Sequence, residues 1–294
     1  MANDFDQIKT KAFEVFHEPI LKGTIGWEQF LDIKGQNTKH LQLGSVLSGG
    51  IYAAAGTGDL AADDVDTVNT TIVSTSFEKK ERVRWQDLDD NPELVTEIAM
   101  GMGGAGLSSL LKLVTDGVAG LFTLAHPNTG LVGAGKKFID VDLRIGNDAG
   151  NLQSNEVNLA LSEDAFHAAM TIGAQYKNHK DLVLNLFANG VALIVGPQNR
   201  KLAFELLKSA LSGADNQANL IQTMGVIGVV LPELDEDWFL VDTTVKPLVL
   251  HLRRLPEIEV SRTTDGTWIE IVGRFTATFG VKPTEAGIVG SDAP

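Results

Sequence analysis

The chain contains no cysteine, which excludes disulfides, thiol catalysis and thiolate metal sites together. Folding without sulfur cross-links fits a reducing compartment such as the cytoplasm. Cations are also scarce: 24 Lys and Arg stand against 38 Asp and Glu, a formal net charge of -14. Phosphate binding needs clustered Lys and Arg, so free nucleic acid is not expected as a primary partner. No stretch approaches ~20 uninterrupted apolar residues, so no membrane span is expected. The start, Met1-Ala-Asn-Asp-Phe-Asp6, has neither the basic beginning nor the apolar run of a signal peptide.

Signatures of catalysis are missing as well. His17, His40, His126, His167, His179 and His251 show no HxxxH or HExxH spacing, which argues against a zinc or di-metal site. Asp64-Val-Asp66 begins like a calcium loop but lacks the required glycine and closing glutamate, and reads as a solvated turn. There is no nucleophile elbow and no Walker lysine. Gly101-Met-Gly103-Gly-Ala-Gly106 has the spacing of a dinucleotide loop. That loop works only between a strand and a helix, and here the glycines sit inside a helical pattern. The acidic pairs Asp89-Asp90 and Glu236-Asp237 fall in polar turns, where capping or solvation accounts for them. No enzyme activity, cofactor or metal is expected.

What the chain does have is a patterned set of elements. Phe5, Ile8, Ala12, Phe13 and Phe16 recur at helical spacing over residues 4–17, with Asn3 or Asp4 as cap and Pro19 beyond the end. This helix either covers the core or docks as an arm on a neighbouring subunit. Two candidate strands, Leu41–Ala54 and Thr67–Arg84, flank a Gly-rich acidic tip. Asp59, Asp63, Asp64 and Asp66 lie at that tip, and Lys79, Lys80, Arg82 and Arg84 at the base. A long hairpin, polar on both faces, buries too little area to stand alone, which suggests that it lies against something outside the chain.

Asn91-Pro92-Glu93 opens a long helix, with Leu94, Ile98, Leu110, Leu111 and Val114 on its buried face and Gly117 as a stop. Gly101, Gly103, Gly104 and Gly106 interrupt it, each costing ~1 kcal/mol relative to alanine. The glycines serve either close packing or bending. Residues 151–187 read as strand, helix, strand, with Ser162 capping Glu163–Ala174. Val191–Val195 is a buried strand leading through Gly196-Pro197 into a helix, Asn199–Leu211. Val226–Leu231, Trp238–Val241, Pro247–Leu252, Glu257–Arg262 and Trp268–Phe279 alternate as strands of an α+β fold.

The run Trp238-Phe-Leu-Val-Asp-Thr-Thr-Val-Lys246-Pro247-Leu-Val-Leu-His-Leu-Arg253-Arg254-Leu-Pro256-Glu257 resembles the C-terminal region of tailed-phage major capsid proteins, the Mu-like major head subunits among them. There, a Lys-Pro strand is followed by an Arg-Arg-x-Pro-Glu stretch and a closing strand ending in glycine, here Gly273–Gly280. Ala192–Leu207 is similar to the family's strand–Pro–helix unit, and Val83–Leu111 to its acidic turn and long spine helix.

The resemblance implies the shell fold shared by tailed-phage capsids and encapsulins. Residues 1–40 would be an N-terminal arm, 41–85 an extended loop, 86–150 and 243–294 the peripheral domain with the spine helix, and 151–242 the axial domain. It implies self-assembly into hexamers and pentamers of an icosahedral head enclosing DNA without sequence-specific binding, within a virion assembled in the host cytoplasm. Scaffolding protein, portal and decoration proteins are the implied partners. No N-terminal scaffolding segment of the kind some relatives carry is evident, which implies a separate scaffold or none. The acidic tip and basic base suggest pairing between neighbouring subunits, and the glycines of the spine helix suggest a hinge. An encapsulin-like compartment would share this fold; a soluble nucleotide-binding enzyme is the alternative of a different class.

Overall fold

The computed structural model describes residues 2–35, 40–47, 66–91, 93–125, 135–145, 148–178, 181–208, 220–282 and 287–293. In chain order these form α1 (Ala2–Gly23), a 3-10 turn (Trp27–Gln29), β1 (Leu31–Lys34), β2 (His40–Leu47), β3 (Asp66–Val73), β4 (Thr75–Arg84), α2 (Trp85–Asp90) and α3 (Leu94–Ala119). A second 3-10 turn (Gly120–Phe122) is followed by β5 (Leu143–Ile145), β6 (Asp148–Gln153), α4 (Glu163–Gln175), β7 (Val191–Val195), α5 (Arg200–Lys208) and α6 (Leu220–Thr223). β8 (Ile227–Val230), β9 (Trp238–Asp242), β10 (Leu248–Arg262), β11 (Trp268–Val281) and β12 (Ile288–Ser291) complete the chain.

Two four-stranded sheets organise these elements. The first has the order β1-β10-β11-β4, the second β12-β9-β7-β8. In the first, β10 and β11 pair antiparallel along almost their whole length, and β1 joins β10 in parallel. Alternation along β11 sends Ile269, Ile271, Phe275 and Ala277 into the core and leaves Glu270 and Arg274 on the opposite face. The second sheet has a core on each side. Ala192, Ile194, Phe239 and Val241 enter one hydrophobic cluster, and Val191, Leu193, Val195, Trp238 and Leu240 enter the other. Burial on both faces is why Val191–Val195 and Trp238–Val241 are uninterrupted apolar runs.

The helices pack where their apolar stripes dictate. On α1, Ala12, Phe16 and Ile20 are buried against α3 and the first sheet. The helix does not stop before Pro19 but runs through it to Gly23. Proline removes one helical hydrogen bond and crowds the preceding turn; Phe16 and Ile20, buried on either side of it, hold the helix against α3. Of the two readings open for residues 4–17, this packing is that of a helix covering the core of its own chain. On α4, Ser162 Oγ accepts from the Ala165 N–H at 3.1 Å, the expected N-cap.

Two other expectations give way. Pro247–Leu252 and Glu257–Arg262 are one strand, β10, in which register shifts between Leu252 and Glu257 absorb Pro256; a bulge is where a strand tolerates proline. The second strand expected within 151–187 does not form among the described residues after α4. Asp181, Asn185 and Phe187 hold positive φ, and only an isolated bridge joins Lys177 to Val183. Leu94–Phe122 is long and apolar enough to cross a bilayer by length and composition alone. Here it packs along α1 and β11.

Two buried polar side chains close the structure. Asp242 accepts from the N–H groups of Phe187 (2.8 Å), Thr244 (2.7 Å) and Val245 (2.9 Å). Asn155 donates to Phe138 O at 2.7 Å and accepts from the Asp140 N–H at 2.9 Å. Replacing Asp242 with alanine orphans three donors, a loss of about 3 kcal/mol or more. A urea-denaturation midpoint within error of the parent would show that these bonds carry no net stability.

Candidate assembly surfaces

The segment from His40 to Arg84 is divided between two sheets. β2 and β3 form a two-stranded ladder from His40↔Val73 to Leu47↔Asp66, and among the described residues no further strand is hydrogen-bonded to it. After Ser74 the chain continues as β4, now paired antiparallel with β11 from Thr75↔Ala277 to Arg84↔Trp268. The base of the expected loop therefore has an internal partner in β11, and the β2–β3 ladder is the part that joins neither four-stranded sheet. Asp59, Asp63 and Asp64 of the acidic tip lie outside the described residues, whereas Asp66 closes the described ladder.

All four basic residues of the base have partners within the chain. Lys80 and Arg82 each reach Glu270 at 2.7 Å. Hydrogen bonding to Lys80, with the charges of Lys80 and Arg82, holds the Glu270 carboxyl below its ordinary range. Lys79 pairs with Glu81 at 3.3 Å, and the Arg84 guanidinium lies 5.2 Å from the Trp268 ring centre. Alternation on a strand brings Lys80 and Arg82 to one face, so they meet the same acid on β11.

The four glycines of α3 separate into different environments. A Cβ on Gly103 would collide with the carbonyl oxygen of Phe16, and one on Gly106 would stand 3.6 Å from Ile20 Cδ1. Gly101 and Gly104 face open space. At Gly103 the backbone of α1 lies against that of α3, which only a residue without a side chain permits. Because the run lies inside α3, its N–H groups belong to the helical ladder, and the strand–turn–helix geometry of a dinucleotide loop is not formed. No group of three His, Asp or Glu side chains among the described residues is arranged to hold a metal ion. A shallow groove between α1 and β10 is lined by Lys9, Thr10, Phe13, Ile258, Glu259 and Val260.

A corner of the second sheet gathers carboxylates. Trp238 pairs with Ser291 at the end of the β9–β12 ladder, which sets Asp237 beside Asp292 just beyond it. Glu156 is bridged to Gly290 on the other side of β12. Burial, then Asp292 and Asp140, pushes the Glu156 carboxyl up, with Lys137 opposing; burial, then Asp292 and Asp235, does the same for Asp237. For Asp140, burial acts in the same sense, but hydrogen bonds from the Asp142 and Lys137 N–H groups and from Lys136 outweigh it and lower its pKa. Sequence reading missed this corner, because residues 156, 237 and 292 share no local spacing and meet only through strand pairing.

No protein-family model and no curated protein matches the sequence. Among solved structures, the fold is similar to that of a virus-like particle from Pyrococcus furiosus, at 15% identity and TM-score 0.57 over 97% of this chain and 99% of the other. The capsid of Cyanophage P-SCSP1u is similar at 11% identity and TM-score 0.57, over 91% of this chain and 88% of its own. The capsid of an empty GTA particle is similar at 12% identity and TM-score 0.56, over 91% and 89%. These likenesses establish the fold: the chain is an α+β protein with the shell fold of tailed-phage capsids.

Two outcomes follow from the geometry. Gly103→Ala forces α1 and α3 apart and destabilises the chain by about 1–3 kcal/mol through overpacking, whereas Gly101→Ala and Gly104→Ala stabilise it by up to ~1 kcal/mol each. Equal effects in chemical denaturation would contradict the assignment of Gly103 as the contact. For the acidic corner, a carboxyl whose pKa is raised by folding takes up its proton first in the folded chain. Ionised Glu156 and Asp237 therefore cost stability at neutral pH, and the cost is relieved as pH falls toward their ordinary values of 4.5 and 3.8. Glu156→Gln with Asp237→Asn should raise the urea midpoint at pH 7.5, and the gain should shrink toward pH 4.5. A gain that grows in acid would reverse the sign and reject the account.

Proposed function

We propose that this chain is a major capsid protein: a structural subunit, without catalytic activity, that builds the closed head of a tailed bacteriophage. The observation that carries the reading is the β2–β3 hairpin. In a chain that otherwise has the capsid shell fold, no strand among the described residues is bonded to this ladder beyond β2 and β3. A two-stranded ladder is marginal by itself, and a shell supplies neighbours for it to lie on.

The organisation that accompanies this reading places residues 41–85 in an extended loop, 86–150 and 243–294 in a peripheral domain with α3 as spine, and 151–242 in an axial domain. The two hydrophobic clusters follow that division except at the second sheet, where β7 and β9 contribute to both clusters and β12, from 243–294, pairs with β9. One is built mainly from residues of α1, α3, β10 and β11, the other from residues of α4, α5, β7 and β9. The N-terminal segment, residues 1–40, then lies along its own peripheral domain through α1. Hexameric and pentameric capsomers, enclosed DNA, kinship with Mu-like head subunits, and scaffold, portal and decoration partners belong to the same proposal. So do assembly in the host cytoplasm and residence in the virion. The net charge of -14 suits a wall that contains DNA without gripping it. Any bending of the spine helix during shell expansion would fall to Gly101 and Gly104, which nothing in the subunit crowds.

A second reading, an encapsulin-like compartment, is favoured by the end-to-end likeness to a virus-like particle. Electron microscopy of the purified full-length protein, alone and with a co-expressed scaffold, tests both. Closed shells of uniform diameter are expected, built through interfaces of more than ~1,000 Å². A monodisperse monomer at every salt concentration, with scaffold supplied, would end the capsid reading. Protein cargo in place of nuclease-protected DNA inside the shells would decide for the compartment.

A further inference from the structure

The joint between the β2–β3 ladder and β4 is a single residue wide. Residues 66–84 run as one extended segment interrupted at Ser74, with β3 before it and β4 after it in different sheets. At this break two side chains reach β10. Ile72 packs on Val249, and Ser74 Oγ hydrogen-bonds His251 Nδ1 at 3.1 Å. Ile72 and Ser74 alternate on one strand, and Val249 and His251 on the other, so both contacts lie on the same side of the sheet. One step further, Ser76 Oγ lies 3.2 Å from Thr276 Oγ1, already within the β4–β11 ladder.

His251 is fully buried, as are its neighbours Val249 and Leu250, so β10 carries a polar ring at a position where its neighbours are aliphatic. Burying such a group is unfavourable unless it is hydrogen-bonded, and one partner here is the hydroxyl at the break. We infer that Ser74 and His251 form a pin that fixes the angle at which the β2–β3 hairpin leaves the subunit. The Ile72–Val249 contact is non-directional and by itself allows the hairpin to swing. The hydrogen bond is directional and selects one orientation. Its consequence for a shell rests on the capsid reading, because the hairpin's angle then determines where it meets the adjoining subunit.

Hydrogen exchange on the full-length chain tests the pin directly. Ser74→Ala should speed exchange of the amides of 40–47 and 66–73 by about tenfold, the effect of losing one net hydrogen bond. Amides of β10 and β11 should keep their protection. Ser74→Thr, which retains the hydroxyl, should behave as the parent. Unchanged protection of the hairpin in Ser74→Ala would overturn the inference. So would a loss spread equally through β10 and β11, since the bond would then be an ordinary part of the sheet. Shells of Ser74→Ala should vary more in diameter than those of the parent. Failure of the parent to form shells would count against the capsid reading and leave the exchange result standing.

Discussion

The antiparallel pairing of β10 with β11 positions nearly every other element, because both strands are long enough to carry neighbours on their edges and helices on one face. β1 extends the ribbon on one side and β4 on the other. The side chains that β11 turns inward give α1 and α3 a surface to lie on. Gly273 brings the ribbon close to Met102 and Phe16, and Gly117 lets the Phe279 ring sit against α3. If the ribbon slipped by one residue, its apolar and charged faces would exchange. α3 would lose its floor, and Glu270 would lose Lys80 and Arg82.

The second sheet answers a different constraint. Both faces of β7, β9 and β12 are buried, so these strands cannot alternate, and they are specified by apolar bulk and by the polar groups at their ends. Asp242, at the end of β9, gathers three backbone donors from the 187 and 244–245 turns. Asn155 ties the β12 end to the loop at Phe138. A buried polar side chain with every partner in place defines one arrangement of its surroundings. These two hold the corner where the two hydrophobic clusters meet.

Charge plays a smaller part in the fold and a larger one at its surface. Most ion pairs here are half-exposed, and each such pair contributes only ~0.2–1 kcal/mol. Arg274, held between Glu257 at 2.7 Å and Glu259 at 2.6 Å, and the Lys80–Glu270–Arg82 set stiffen the outer face of the ribbon more than they stabilise it. They also blunt the free edge of β4, where unpaired backbone groups would otherwise recruit another strand. The basic residues that the sequence sets apart at the hairpin base thus have work within the subunit before any contact with a neighbour.

Local pattern in the sequence determined a good deal. The Ser162 cap, the long helix after Asn91, the buried strands at 191–195 and 238–241 and the alternating strands of the final third all follow from side-chain periodicity and capping, which act over a few residues. The carboxyl-terminal run from Trp238 to Glu257 carried the likeness to capsid proteins, and the shell fold accords with it. Other features were decided by contacts between residues far apart in the chain. Pro19 stands inside α1 because Phe16 and Ile20 find α3, and Pro256 stands inside β10 because β11 continues past it. Gly103 reads as one of four equivalent glycines until the Phe16 backbone lies against it. Glu156, Asp237 and Asp292 become neighbours only when β12 pairs with β9, and Ser74 meets His251 only when β4 has found β11. Periodicity states which face of an element is apolar; only pairing and packing state which surface that face will meet.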